Sequence, residues 1–139
     1  MEITANAVQT VAANQNVLFT DTVVCGTGSI IHRDGSGLVT LRGITNQCRA
    51  RFKVSFGGNI AVPATGTAGP ISLAIAVNGE PVLSTTMTET PTATDAYSNV
   101  FSAIYVDVPA CCCTQISVKN IGADNINVQN ANLIIERIA

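Results

Sequence analysis

The sequence predicts an all-β chain, folded as an antiparallel two-sheet sandwich or a barrel. Three observations carry this. Almost every segment alternates apolar and polar residues with period two, and none shows a helical stripe. Short strand-like runs recur at regular spacing between clusters of Gly, Pro, Asn, Asp and Ser. The apolar content is mainly Val, Ile, Leu and Ala, with 4% aromatics and no Trp, a vocabulary suited to sheets packed face to face.

Taken in order, residues 1–16 are rich in Ala, Asn, Gln and Thr and form either an N-terminal arm or a leading strand, with the main domain over 17–139. Val17 to Val24 and Gly37 to Arg42 are early strands, joined through the turn-rich His32-Arg33-Asp34-Gly35-Ser36-Gly37. Arg49 to Phe56 is the clearest strand. Ala50, Phe52, Val54 and Phe56 share one face, and Arg49, Arg51, Lys53 and Ser55 the other. Ile71 to Val77 runs into Asn78-Gly79, a strong hairpin signal because both residues tolerate positive φ, and Val82 to Met87 is the expected return strand. Asn99 to Val106 and Cys113 to Lys119 flank Pro109; Asn125 to Gln129 and Asn132 to Ile138 close the chain. Pro63 to Pro70 and Glu89 to Asp95 are breaker-rich loops. The total is eight to ten strands, without an internal repeat.

Charged residues make up 12% of the chain, about half the usual share of a soluble domain. Several expected strands are apolar on both faces. In Asn99 to Val106, Val100, Ile104 and Val106 alternate with Phe101, Ala103 and Tyr105; near the C-terminus Leu133 and Ile135 alternate with Ile134 and Ile138. A sheet apolar on both sides needs cover on both. No helix is available, so copies of the same chain are the expected cover.

The order of strands resembles the trimeric jelly roll of the tumour-necrosis-factor and complement globular-head superfamily, and is similar to the globular tips of bacterial collagen-like surface proteins. The stretches that carry the resemblance are VLFTDTVV, RARFKVSF, ISLAIAVNGEPVLSTT, NVFSAIYVDVPACCCTQISVKN and INVQNANLIIERI, spanning about Val17 to Ile138. No collagen repeat precedes them. The resemblance implies a jelly roll of about ten short strands, assembled as a homotrimer with the sheet of the C-terminal strand facing the threefold axis. It thereby makes Phe101 and Tyr105 inter-subunit contacts, with Ile134 and Ile138 on the adjacent C-terminal strand.

Five cysteines raise the question of metal or redox chemistry. On a regular strand Cys112 lines up with Ile116 and Val118 toward the core, and Cys111 and Cys113 point away. Adjacent residues so arranged do not converge on one ion, and no Cys-x-x-Cys spacing occurs. In a trimer, thiols near the axis occur three times and would suit a soft metal. Buried cysteines serving as small apolar side chains are the plainer expectation. Cys25 and Cys48 bracket the early strands and are the disulfide considered for an oxidising medium, although spacing alone fixes no connectivity.

No catalytic constellation emerges. His32 is the lone histidine and reads as a solvated turn residue; the carboxylates are scattered singly, and no nucleophile elbow or phosphate loop is present. No enzyme activity, cofactor or bound metal is expected. A net charge of -2 gives no footprint for nucleic acid, and no apolar run is long enough to span a bilayer. With no classical signal peptide, synthesis in a bacterial cytoplasm is expected, followed by residence on a virion or on a cell or spore surface. The leading expectation is a non-enzymatic trimeric module of a phage virion: a head decoration, fibre tip or receptor-binding knob. Its partners are itself, with virion or cell-surface proteins or host glycans beyond. The loops expected to bind are 32–36, 63–70 and 88–98. The alternatives are the globular tip of a spore- or cell-surface collagen-like protein, and an intracellular thiol or metal-binding protein.

Overall fold

A computed structural model describes residues 1–139. Twelve strands run in chain order: β1 (Glu2–Ala5), β2 (Gln9–Val11), β3 (Asp21–Val24), β4 (Ile30–His32), β5 (Val39–Arg42), β6 (Arg49–Ala61), β7 (Ile71–Val77), β8 (Glu80–Pro81), β9 (Met87–Glu89), β10 (Ser98–Pro109), β11 (Cys113–Asn120) and β12 (Ile126–Arg137). They form two antiparallel sheets. The first has the order β10-β6-β12-β1-β3, with β2 also on β12; the second has β4-β5-β11-β7-β8, with β9 also on β7. The result is the expected two-sheet sandwich. No helix is long and apolar enough to cross a membrane.

Strict alternation builds the sandwich. Ala50, Phe52, Val54 and Phe56 of β6 are fully buried, as are Leu73 and Ile75 of β7, Ile116 and Val118 of β11, and Leu133 and Ile135 of β12. Phe19, from the irregular chain before β3, reaches the centre and meets Phe56 edge-on with ring centroids 6.3 Å apart.

Three departures from the sequence reading have local causes. Val82 to Met87 is not the return strand. After the Asn78-Gly79 turn only Glu80 and Pro81 pair with β7. The chain then bulges through a short 3₁₀ turn, Leu83–Thr85, and rejoins at β9. The buried Thr85 hydroxyl stands in for the missing backbone, accepting from the Ile75 N–H at 2.9 Å. The two expected C-terminal strands are one, β12, interrupted by a bulge between Gln129 and Asn132 where Asn130 has φ 53°. Beside the bulge the first segment divides: β1 pairs with β12 on one side and β2 on the other. His32, read as solvated, has a fully buried side chain. Its Nε2 lies 3.0 Å from the Ser36 carbonyl, and its ring stands edge-on to Phe19 at 6.5 Å.

The sandwich has two ends. At one lie the connections 25–29, 43–48 and 110–112, because Val24 pairs with Glu2, Arg49 with Pro109 and Arg42 with Cys113. At the opposite end lie 62–70, 90–97 and 121–125.

Candidate functional site

The outer face of the first sheet is the most distinctive surface. β10 pairs with β6 without interruption from Ser98↔Ile60 to Pro109↔Arg49, so the outward side chains form a regular ladder. Phe101, Ala103, Tyr105 and Asp107 project outward from β10, with Val100, Val106 and Val108 buried between them. Phe101 and Tyr105 are each 66% exposed, Ile134 41% and Ile138 48%. Register places three of them on one face: Phe101 opposite Gly57, Tyr105 opposite Lys53, and Ile134 opposite Ser55. Ile138, whose N–H donates to the Arg51 carbonyl at 2.9 Å, shares a shallow recess with Arg51, Tyr105 and Asp107. The Phe101 ring leans toward Gly57, where a Cβ would lie 3.7 Å from the ring.

Several polar groups on this face are joined to one another, whereas Lys53 and Glu136, opposite one another in register, have no ion-pair partner. Asp107 accepts from Arg51 Nε at 2.7 Å and Nη2 at 3.0 Å, a bidentate pair, and Arg49 Nε lies 3.2 Å away. The hydrogen bond from Arg51 holds the Asp107 carboxyl below its usual range; the positive charges of Arg51 and Arg49 add to this against a desolvation that opposes it. The same hydrogen bond raises the Arg51 guanidinium. Farther along, Asn99 Nδ2 donates to Asn59 Oδ1 at 3.2 Å, Asn132 Nδ2 to Glu2 at 2.6 Å, and Thr10 Oγ1 to Asn127 at 2.7 Å.

A second feature lies at the opposite end: a polar recess of about 350 Å³ lined by Pro63, Thr65, Thr67, Pro70, Asp124 and Asn125, among others. The Asp95 N–H donates to Val62 C=O at 2.8 Å, which brings the loops 63–70 and 88–98 together. The loop 32–36 does not join them. It is held against β3 and the chain before it, through Gly35 N–H to Phe19 C=O at 2.8 Å and Thr22 Oγ1 to Asp34 at 2.7 Å. The recess instead takes its other wall from 121–125, which the sequence reading did not single out. Fully buried Asn120 fixes that wall, donating to Val11 and Asp124 carbonyls at 3.0 and 2.8 Å and accepting from Gly122 at 2.9 Å. Gly122-Ala123-Asp124-Asn125 is turn vocabulary and was the available signal.

All five cysteines are exposed and unpaired, including Cys25 and Cys48. This corrects the expectation of buried, space-filling thiols. Cys112 does not face the core, because the chain turns at 110–112 with Cys111 at φ 64°, and the alternation that buries Thr114, Ile116 and Val118 begins only with β11. No group of three or more His, Cys, Asp or Glu side chains converges in a metal-binding arrangement.

Comparison with protein-family models and with curated proteins returns no match. Among solved structures, the globular domain of a zebrafish complement 1qA protein superposes with a TM-score of 0.60 at 12% identity, over 96% of this chain and 93% of that one. Family 35 carbohydrate-binding modules also align: one from Clostridium thermocellum at TM-score 0.37, 18% identity, 92% and 98% coverage, and one from Cellvibrio japonicus Abf62 at TM-score 0.39, 9% identity, 100% and 98% coverage. The latter two superpose too loosely to equate strand with strand. The fold is therefore the complement-head and tumour-necrosis-factor type of jelly roll.

Proposed function

We propose that the chain is a non-enzymatic structural and binding module that works as a homotrimer, and that it belongs to a phage virion as a head decoration, fibre tip or receptor-binding knob. The observation that carries the trimer is the outer face of the first sheet, where Phe101, Tyr105, Ile134 and Ile138 lie uncovered on one face. Single exposed apolar residues need no explanation, but four large ones on one face of one sheet mark an interaction surface.

A ring of three copies uses a heterologous contact, in which two different patches of each copy meet. The molecule offers both. One is the face just described; the other is the edge strand β3, with Val23 60% and Val24 53% exposed. The trimeric jelly-roll family that the strand order resembles supports the same stoichiometry. The virion setting rests on the low charge and the Asn- and Thr-rich exterior, which suit a module packed among other proteins. In that setting the polar recess between 62–71 and 123–125 is the surface offered to a receptor.

Native mass in solution tests the assembly. Three chains of 14.4 kDa give a particle of about 43 kDa; a folded single-chain species at micromolar concentration defeats the reading. Virion proteomics of the producing phage tests the setting, and absence of the chain from purified particles removes it.

A further inference from the structure

The cysteines occupy one end of the molecule, and only that end. Cys25 follows β3, whose Val24 pairs with Glu2 at the start of β1. Cys48 precedes β6, and its carbonyl accepts from the Ala110 N–H at 3.0 Å. Cys111 and Cys112 form the turn into β11, which opens on Cys113 opposite Arg42. Three connections separated in sequence thus bring every thiol of the chain to one end of the sandwich. The connections at the other end carry none.

Their exposure is the second observation. Cysteine is among the residue types most often buried, yet none of the five is in the core. Cys111 also adopts φ 64°, a left-handed conformation in which Gly or Asn is the ordinary choice. The turn is anchored rather than loose: the Gly43 N–H donates to Cys112 C=O at 2.8 Å, and the Cys111 N–H to Gly43 C=O at 3.0 Å. Arg42, Gly43, Ile44 and all three consecutive cysteines line one narrow cleft there. Neither packing nor metal geometry accounts for this arrangement.

We infer that this end is a covalent docking surface, through which copies of the chain are joined by intermolecular disulfides. A second copy is the partner that fits, because the surface is self-complementary in chemistry: two such ends meeting about a twofold axis present thiols from three loops to thiols from three loops. The end lies beyond the outer face of the first sheet, so the inference does not rest on the trimer. The oxidant is a low-molecular-weight disulfide. A cysteine thiolate attacks one of its sulfurs, releasing one small thiol and forming a mixed disulfide. A thiolate of the second copy then attacks the protein sulfur and releases the second small thiol. Two protein thiols are oxidised, and one small disulfide is reduced to two thiols.

The test uses the full chain, fully reduced and then exposed to oxidised glutathione. Mass is read under denaturing, non-reducing conditions, which a non-covalent trimer does not survive. Covalent dimers are expected, reverting to single chains with dithiothreitol. A variant with Cys111, Cys112 and Cys113 all changed to Ser should lose most of the dimers, with an unchanged circular dichroism spectrum. Single chains carrying only glutathione adducts, or only internal disulfides, would overturn the inference. Dimers persisting undiminished in a variant with all five cysteines replaced would do so too. Native mass before oxidation reports the trimer separately.

Discussion

Replacing Phe101 and Tyr105 together by Ser tests the outer face most directly. Each ring is 66% exposed. An aromatic side chain presents about 200 Å², so roughly 130 Å² of each is open to cover, worth about 3 kcal/mol apiece at about 25 cal/mol per Å². Cover at an interface is incomplete and ordering opposes it. Taking half leaves about 3 kcal/mol per chain, which moves the concentration at which chains associate by about two decades or more. Both side chains point away from the core, so the isolated fold should change by no more than about 0.5 kcal/mol. The assay is sedimentation equilibrium across a dilution series, paired with thermal melts at each concentration. Wild-type melting temperature should rise with concentration, since association stabilises the fold by mass action. The variant should melt independently of concentration and sediment as a single chain. A variant that keeps the wild-type mass at every dilution would show that these rings do not hold copies together.

Gly43→Ala should destabilise the chain by about 2–4 kcal/mol, from overpacking and the two strained hydrogen bonds to the cysteine turn. An added Cβ would lie 2.1 Å from the Pro109 carbonyl oxygen, whereas Gly28, with nothing within 4 Å, should accept Ala without effect; equal melting temperatures for the two variants would contradict the geometry. Asp107→Asn should lower the melting temperature slightly at neutral pH, measured at fixed protein concentration, since an exposed pair contributes little. The folded-state pKa of Asp107 is depressed, so its contribution is complete above the ordinary value of 3.8 and fades as the pH falls below it. The gap between variant and wild type should therefore close in acid, and a gap that widens there would refute the assignment.

The core was legible where one strand lies between two full-length neighbours. β6 has β10 on one side and β12 on the other, so its alternation alone decides which side chains are buried. Legibility failed where a side chain replaces the backbone. Nothing local to Val82-Leu83-Ser84-Thr85 says that the Thr85 hydroxyl will satisfy Ile75, because that contact depends on β7 already being in place. His32 failed for a similar reason: its cover is Phe19, brought there by the sandwich rather than by the turn. For the outer face, alternation sufficed to put Phe101 and Tyr105 opposite Val100 and Val106. The far recess was half legible. Loop vocabulary marks 63–70, but the wall at 121–125 is fixed by Asn120, whose amide reaches the Val11 carbonyl, 109 positions away in sequence.

How the outer face treats the charge at Asp107 adds to what its rings argue about burial. Covering a lone ion is costly, whereas an ion already paired and hydrogen-bonded carries much of its compensation with it. Asp107 is held by two arginines of the neighbouring strand, and the amides at Asn59, Asn99, Asn127 and Asn132 already have partners on adjacent strands. Exposed pairs of this kind contribute little to the stability of a single chain, so folding alone gives weak reason for them. Their effect is to lower the desolvation penalty of whatever covers the sheet. A neighbouring copy then needs to supply apolar surface and shape over β10, with counter-charges only for Lys53 and Glu136, which face outward opposite one another without an ion-pair partner, and the 12% charged composition of this chain is well suited to supply that. Were the face meant to stay wet, free lysines and glutamates at Phe101 and Tyr105 would serve it better, as they do on the solvent side of ordinary antiparallel sheets.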